Sequence, residues 1–91
     1  MFVVVSYDIK DDRRRGKIFK IIKNFGQWVQ FSVFECDVAK SDYLRMRDKL
    51  EKQIQPEEGD SIRFYFICEN DFEKIERIGG TQPLPEDAIV L

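Results

Sequence analysis

The chain has 91 residues, of which 43% are hydrophobic and 35% charged, and its net charge is −2. This length supports one domain with a modest core, and the composition is typical of a folded protein and excludes a disordered chain. No apolar run approaches the roughly 20 residues of a transmembrane helix, and the first residues lack the pattern of a signal peptide. We therefore expect a cytoplasmic protein without membrane contact.

Charge is unevenly distributed along the chain. Residues 1–56 carry 12 basic and 8 acidic side chains, whereas residues 57–91 carry 3 basic and 9 acidic ones. This asymmetry predicts a cationic face for phosphate and an acidic segment for another protein, although solvated faces of folded proteins also carry runs of charge.

The first predicted elements are a buried strand and an amphipathic helix. Phe2–Tyr7 is short, apolar and rich in Val, which predicts a central strand covered on both faces. The apolar residues of Asp11–Asn24 recur at helical spacing. Asp11 or Asp12 is predicted to cap the N-terminus of this helix, and Gly26 is predicted to end the helix at the C′ position.

The segment Gln27–Val38 alternates in the way that β-strands do. It is long for one strand, so a bulge or tight turn near Gln30–Ser32 would divide it, and both one strand and two remain open. Alternation predicts one face with Trp28, Gln30, Ser32 and Phe34 and the other with Val29, Phe31 and Val33.

Further elements follow in the second half of the chain. Ser41 is predicted to cap a helix over Asp42–Gln53. Ser61–Cys68 is aromatic and β-branched, which predicts a strand. Asn70–Phe72 is interpreted as a loop, and Glu73–Ile78 as another strand.

This order of elements predicts an α+β protein with a ferredoxin-like βαββαβ fold: an antiparallel sheet, two helices on one face and an extra C-terminal strand. Residues 1–80 would form the domain, and residues 81–91 a strand or tail for contact with a dimer mate or another partner. The sheet face opposite the helices would carry aromatic residues that need a cover. In so small a chain a second copy is the natural cover, so we expect a homodimer.

The residue inventory excludes several kinds of active site. The chain has no His, which removes serine–histidine and cysteine–histidine catalysis and His-ligated zinc. It also lacks a glycine-rich phosphate loop. We expect Cys36 and Cys68 to be free thiols rather than partners in a disulfide or ligands of a zinc ion. No feature predicts a pocket for a small-molecule substrate.

Carboxylates and arginines remain, and together they suit Mg²⁺ or Mn²⁺ and a phosphodiester. Asp8 follows the first predicted strand and is the candidate metal-binding and catalytic residue; the alternative is that it only caps the turn into the helix. The candidates for nucleic-acid binding are Arg13, Arg14, Arg15 and Lys17. Because adjacent helical residues point in different directions, only one or two of the arginines would reach a phosphate, and the alternative is a solvated helix face.

Four segments follow one another in a distinctive order: VVVSYDIKDDRRRGKIFKII, GQWVQFSVFEC, DSIRFYFI and the pair Ile78-Gly79. In this order and spacing they resemble the CRISPR-associated Cas2 family, the small proteins that partner the spacer integrase. The resemblance covers nearly the whole chain. It implies a ferredoxin-like homodimer, a metal-dependent endonuclease activity on RNA or double-stranded DNA, and a part in spacer acquisition with the integrase.

The resemblance also assigns roles to individual residues. It implies that Asp8 is the metal-binding acid and that Arg14 and Arg15 are the basic positions, although the run of three arginines obscures which one matches. Supporting candidates are Tyr7, Ser32 and Phe34. One Asp8 makes a poor metal site, but two copies at a dimer axis could share one Mg²⁺ ion.

Two other functions are compatible with the same residues. One is a non-catalytic dimeric adapter that holds protospacer DNA and bridges integrase subunits. The other is a small regulatory or ligand-binding domain of the same fold, which would need a pocket that the sequence does not predict.

Overall fold

The first strand forms the middle of the sheet, as its apolar composition predicts. The computed structural model describes residues 1–79, and its elements are β1 (Phe2–Asp8), α1 (Asp12–Lys23), β2 (Gln27–Gln30), β3 (Val33–Asp37), α2 (Lys40–Gln53), a 3₁₀ turn (Pro56–Glu58), β4 (Ser61–Ile67) and α3 (Glu69–Phe72). The strands pair in the order β2-β3-β1-β4, and all the pairs are antiparallel. The predicted βαββαβ order and the ferredoxin-like antiparallel sheet are confirmed.

Alternate residues of β1 face the two sides of the sheet. Val3, Val5 and Tyr7 are buried with α1 and α2 in one core, to which the helices contribute Ile18 and Met46 among others. The opposite side, here called the open face, carries the other β1 residues and their register partners on β4, which are Phe2 with Ile67, Val4 with Tyr65, Ser6 with Arg63 and Asp8 with Ser61. Tyr65 is 49% exposed there.

Local sequence sets the ends of α1. The Asp11 side chain accepts a hydrogen bond from the Arg14 backbone N–H at 2.8 Å, so the predicted acidic cap is confirmed. Gly26 serves a different purpose from the predicted helix stop. A Cβ at Gly26 would contact Cys36 Sγ and lie 2.6 Å from the Glu35 carbonyl oxygen. Glycine is needed here because the chain leaving α1 passes tightly against β3.

Of the two alternatives left open for Gln27–Val38, the structure has two strands, and the division occurs at Phe31. Phe31 has φ +43°, a left-handed conformation that a bulky residue rarely adopts, and its carbonyl accepts a 2.8 Å hydrogen bond from Trp28 Nε1. The register is irregular between Trp28, which pairs with Phe34, and Gln30, which pairs with Val33. Because Phe34 and Val33 face opposite ways, Trp28 and Gln30 do not share a face as simple alternation predicts.

Two predictions for residues 39–72 are wrong in detail. The helix α2 begins at Lys40 after Ala39, and no side chain caps it, so Ser41 lies inside its first turn. Residues 69–72 form the short helix α3 rather than a loop.

The predicted strand Glu73–Ile78 is absent from the described residues. Arg77 forms an ion pair with Glu35 of β3, a strand inside the sheet rather than at its edge. The predicted tail 81–91 and the domain boundary after residue 80 lie outside the described residues. Among residues 1–79, no helix is long and apolar enough to cross a membrane.

Candidate nucleic-acid and metal site

The loop between β1 and α1 brings the predicted site residues to one end of the sheet. Asp8 is the last residue of β1, and its side chain is 66% exposed. Its Oδ2 lies 3.0 Å from the Nζ of Lys10, which is 53% exposed. Asp8 therefore does not cap α1, a role that Asp11 fills, and its carboxylate is accessible from solvent.

The three consecutive arginines have three different environments. The Arg14 side chain is only 14% exposed and makes two hydrogen bonds to Asp60, with Nε 2.5 Å from Oδ2 and Nη2 3.0 Å from Oδ1. Its Nη1 also lies 3.8 Å from Glu58. Arg14 is thus engaged inside the protein, where two parallel hydrogen bonds to one carboxylate fix its orientation.

Arg15 is engaged with the backbone of the same loop. Its Nε and Nη2 donate to the Ile9 carbonyl oxygen at 3.1 and 2.8 Å, and its Nη1 lies 2.6 Å from Asp12 Oδ1. The Arg15 side chain is nevertheless 42% exposed. Arg15 holds the chain just after Asp8 and still presents part of its charge to solvent.

Arg13 and Lys17 are exposed, and neither has an ion pair or hydrogen-bond partner within residues 1–79. They lie four residues apart on α1 and therefore on the same side of the helix. Of the four predicted nucleic-acid ligands, these two have their full charge available, Arg15 has part of it, and Arg14 has the least.

The supporting candidates divide between the loop and the core. Tyr7 is buried at the end of β1, and its backbone N–H donates to the Ser32 carbonyl at 3.0 Å. Burial raises the pKa of Tyr7, while a hydrogen bond with the Ser32 side chain and the charge of Arg15 act in the opposite direction. Tyr7 and Ser32 thus join the β2–β3 turn to the end of β1.

Phe34 is fully buried and packs edge-on against Phe19, with their ring centroids 5.2 Å apart. It pairs with Val5 on the helix side of the sheet. In this fold the Phe34 side chain cannot contact a ligand at the end of β1, and any contribution that it makes is through packing.

Sequence reasoning missed Asp60, the buried acid that organises this end of the sheet. Its carboxylate accepts hydrogen bonds from the backbone N–H groups of Lys10 at 2.9 Å and Gln55 at 3.0 Å, in addition to Arg14. These bonds, with that of the Arg14 guanidinium the largest, hold the pKa of Asp60 well below its usual range. The only sequence signal was an acid directly before a strong strand, which also suits an ordinary turn.

A single chain does not provide a complete metal site in the described residues. Residues 1–79 contain no cluster of three or more acidic or thiol side chains that could hold a metal ion. Mg²⁺ takes about six oxygen ligands, often one or two of them carboxylates and the rest water or phosphate. One exposed Asp8 fits such a site as a single carboxylate ligand, and a second carboxylate would have to come from another chain.

Comparison with known proteins identifies relatives of this chain. Residues 1–75 match the family model described as CRISPR associated protein Cas2. The chain is 47% identical over 83 residues to the CRISPR-associated endoribonuclease Cas2 1 of Chloroflexus aurantiacus, covering 91% of this chain and 89% of the relative. It resembles the crystal structure of Streptococcus pyogenes Cas2 at pH 6.5 with a TM-score of 0.74 and 34% identity, covering 87% of this chain and 100% of that one. A chain of a partial Cas6-RT-Cas1–Cas2 complex matches with a TM-score of 0.71 and 26% identity, covering 92% of this chain and 93% of that chain.

Proposed function

Since the chain belongs to the Cas2 family of CRISPR-associated proteins, we propose that it is an endonuclease of CRISPR spacer acquisition that cleaves phosphodiester bonds with a divalent cation. One observation carries the proposal: the exposed carboxylate of Asp8 ends the central strand next to the exposed cations of α1. A carboxylate suits a hard cation, and nearby bases suit the phosphates of RNA or double-stranded DNA. The endoribonuclease named among the relatives and the neighbour in a complex with Cas1 support the same function.

The proposal includes a homodimer, because one chain offers the cation a single exposed carboxylate, that of Asp8, and a second copy would supply another. On the open face, a second copy could pack against Val4 and against Tyr65, which is 49% exposed. The neighbouring Phe2 already packs against Phe72 of the same chain. In that dimer two Asp8 carboxylates would hold one Mg²⁺ or Mn²⁺ ion. When bound, the cation would activate water and stabilise charge on the phosphate. Sedimentation at the monomer mass of 10.8 kDa would contradict the dimer.

The chain's own residues then have separate tasks. Asp8 would hold the cation, and to do so it would give up its ion pair with Lys10. Arg15 fixes the loop after Asp8 through the Ile9 carbonyl, and its exposed charge faces the developing negative charge of the phosphate. Arg13 and Lys17 bind the nucleic-acid backbone without reading sequence.

The test compares Asp8→Asn with Asp37→Asn in a cleavage assay with and without Mg²⁺. Asp37 is an 81% exposed acid at the opposite end of the sheet, so the control removes the same charge far from the site. We expect Asp8→Asn to lose Mg²⁺-dependent cleavage by orders of magnitude and Asp37→Asn to keep it. Equal cleavage by both variants would overturn the role of Asp8.

A second candidate is the non-catalytic adapter that holds protospacer DNA and bridges integrase subunits. It is favoured by the single, ion-paired carboxylate and by the absence of a metal-binding cluster within residues 1–79. A spacer-acquisition assay in cells separates the two functions. The adapter tolerates Asp8→Asn and requires Arg13 and Lys17, whereas a required nuclease fails with Asp8→Asn.

A further inference from the structure

The outer side of α1 is a continuous row of basic side chains that extends beyond the candidate site. Four of its residues are exposed and basic, and we call them the α1 ridge: Arg13, Lys17, Lys20 and Lys23. The helix has no acidic residue after Asp12. Lys20 and Lys23 were not among the residues that the sequence analysis selected.

Helical geometry places these four side chains on one side of α1. At about 100° per residue, they fall within an arc of roughly 120°, and the buried residues Ile18 and Ile22 lie on the other side. The rise of about 1.5 Å per residue makes the ridge roughly 15 Å long. The ridge is therefore straight, exposed along its length and directed away from the core.

The neighbouring helix α2 has five basic residues, and three of them are paired with carboxylates of the same helix, whereas Lys40 and Lys49 have no such partner within residues 1–79. Arg45 pairs with Asp42 at 2.9 Å, Arg47 with Glu51 at 3.1 Å, and Lys52 with Asp48 at 3.0 Å. In contrast, none of the four ridge residues pairs with a carboxylate within residues 1–79. Lys23 has only a ring contact, with its Nζ 6.0 Å from the centroid of Phe19. In a protein with a net charge of −2, the positive charge is thus concentrated on α1.

Gly16 gives a second, independent observation on the same side of α1. Glycine inside a helix costs about 0.5–1 kcal/mol relative to alanine. No atom of the protein lies within 4 Å of the position that a Cβ at Gly16 would take, so no internal contact requires the glycine. A missing side chain between Arg13 and Lys17 leaves room for a ligand to approach the helix backbone.

We propose that the whole α1 ridge is a track for the phosphate backbone of a nucleic-acid duplex, and that Lys20 and Lys23 extend this contact past the loop that carries Asp8. The inference rests on the proposed function and names the surface that holds the substrate. Successive ridge residues lie roughly 4.5–6 Å apart along the helix, while a duplex strand presents one phosphate per 3.4 Å of axis. Over the roughly 15 Å of the ridge the two strands of a duplex together present about nine phosphates, one per 1.7 Å of axis, which is more than the number of ridge cations.

The test measures duplex binding against salt concentration in EDTA, so that cleavage does not contribute. The ridge variant is Lys20→Gln with Lys23→Gln, and the control is Arg45→Gln with Lys52→Gln, which removes the same charge from α2. Glutamine is a good helix former, so all four positions keep their helices. Each lost phosphate contact lowers the slope of log K against log salt by about 0.9, so we expect a loss of about 1.8 for every α1 on the duplex. The control should keep the parent slope.

The outcomes distinguish this inference from the proposed function. If the ridge variant has the same slope of log K against log salt as the parent, at salt concentrations where the parent binds duplex, the track is overturned and the proposed function is left intact. A parent protein that does not bind duplex overturns the track, and the proposed function is overturned as well only if the parent cleaves neither RNA nor duplex DNA with Mg²⁺. If the ridge variant keeps the duplex slope but loses binding to polyglutamate, the ridge serves an acidic protein and the inference is wrong.

Discussion

Arg14 and Asp60 are 46 positions apart in the sequence and are joined by two side-chain hydrogen bonds. The same carboxylate holds the backbone N–H groups of Lys10 and Gln55. One buried acid therefore joins the loop after β1 to the loop before β4. The loop that presents Asp8 is positioned by Asp60, which need not touch any substrate.

The depressed pKa of Asp60 predicts a specific loss of stability in acid. The unfolded chain takes up the proton near the usual value of about 4, whereas the folded protein resists it to lower pH, so stability falls as the pH drops below about 4. In Asp60→Asn we expect a lower melting temperature at pH 7, by several degrees or more, and a flatter dependence on pH below 4. Glu58→Gln is the control, because Glu58 is 57% exposed and 3.8 Å from Arg14. Thermal melts from pH 2 to 7 give both quantities, and parallel curves for parent and Asp60→Asn would contradict the prediction.

Substitutions of the neighbouring arginines should separate binding from stability. Arg13→Ala removes an exposed, unpaired cation, so we expect the salt slope of duplex binding to fall by about 0.9 for each contacting chain, with an unchanged melting temperature. Arg14→Ala leaves Asp60 without its partner, so we expect a lower melting temperature. Paired melting and binding measurements on both variants test this. If Arg14→Ala kept the parent melting temperature and lost more of the salt slope than Arg13→Ala, Arg14 would be the residue that binds nucleic acid, and the prediction would be wrong.

Two glycines should respond oppositely to alanine. Gly16→Ala fills open space on a helix and should raise the free energy of unfolding by about 0.5–1 kcal/mol. Gly26→Ala places a methyl group 2.6 Å from the Glu35 carbonyl and should lower it by about 1–3 kcal/mol. Urea denaturation of both variants provides the comparison. A neutral Gly26→Ala would mean that β3 moves aside at little cost.

The turn between β2 and β3 stores local strain at Phe31. Its side chain is 87% exposed and contributes little burial, while its φ of +43° is unfavourable for a bulky residue. Asparagine tolerates this conformation better, so Phe31→Asn should raise the free energy of unfolding by up to about 1 kcal/mol. Ser32→Asn is a suitable comparison in the same turn. A destabilised Phe31→Asn would show that the phenyl ring has contacts worth more than the strain.

The sequence predicts those features that depend on nearby residues. Asp11 caps α1 because its partner N–H is three residues away, and the strand Phe2–Asp8 is recognisable from its apolar run. The break in Gln27–Val38 is predictable from length, but the face that Gln30 occupies is not. It depends on the irregular pairing of Trp28 and Gln30 with β3, which alternation alone does not include.

The rest depends on contacts between distant parts of the chain. The sequence places three arginines together but does not show that a carboxylate from before β4 engages Arg14. Glu73–Ile78 is predicted to be a strand, yet it forms none, and its Arg77 pairs with Glu35, 42 positions earlier in the chain. The second carboxylate of the proposed metal site would come from another molecule, and no pattern within one chain gives its position.

The central place of β1 has a consequence for synthesis. Its two neighbours are β3 and β4, and the Phe2–Ile67 pair shows how late the second one arrives along the chain. One edge of the first strand can pair once β3 has been made, but the other edge must wait unpaired until β4, near the end of the described fold, has been made. Such non-local pairing slows folding and exposes the nascent strand to aggregation. The nascent chain is then a natural client for chaperones that shield short apolar strands during translation.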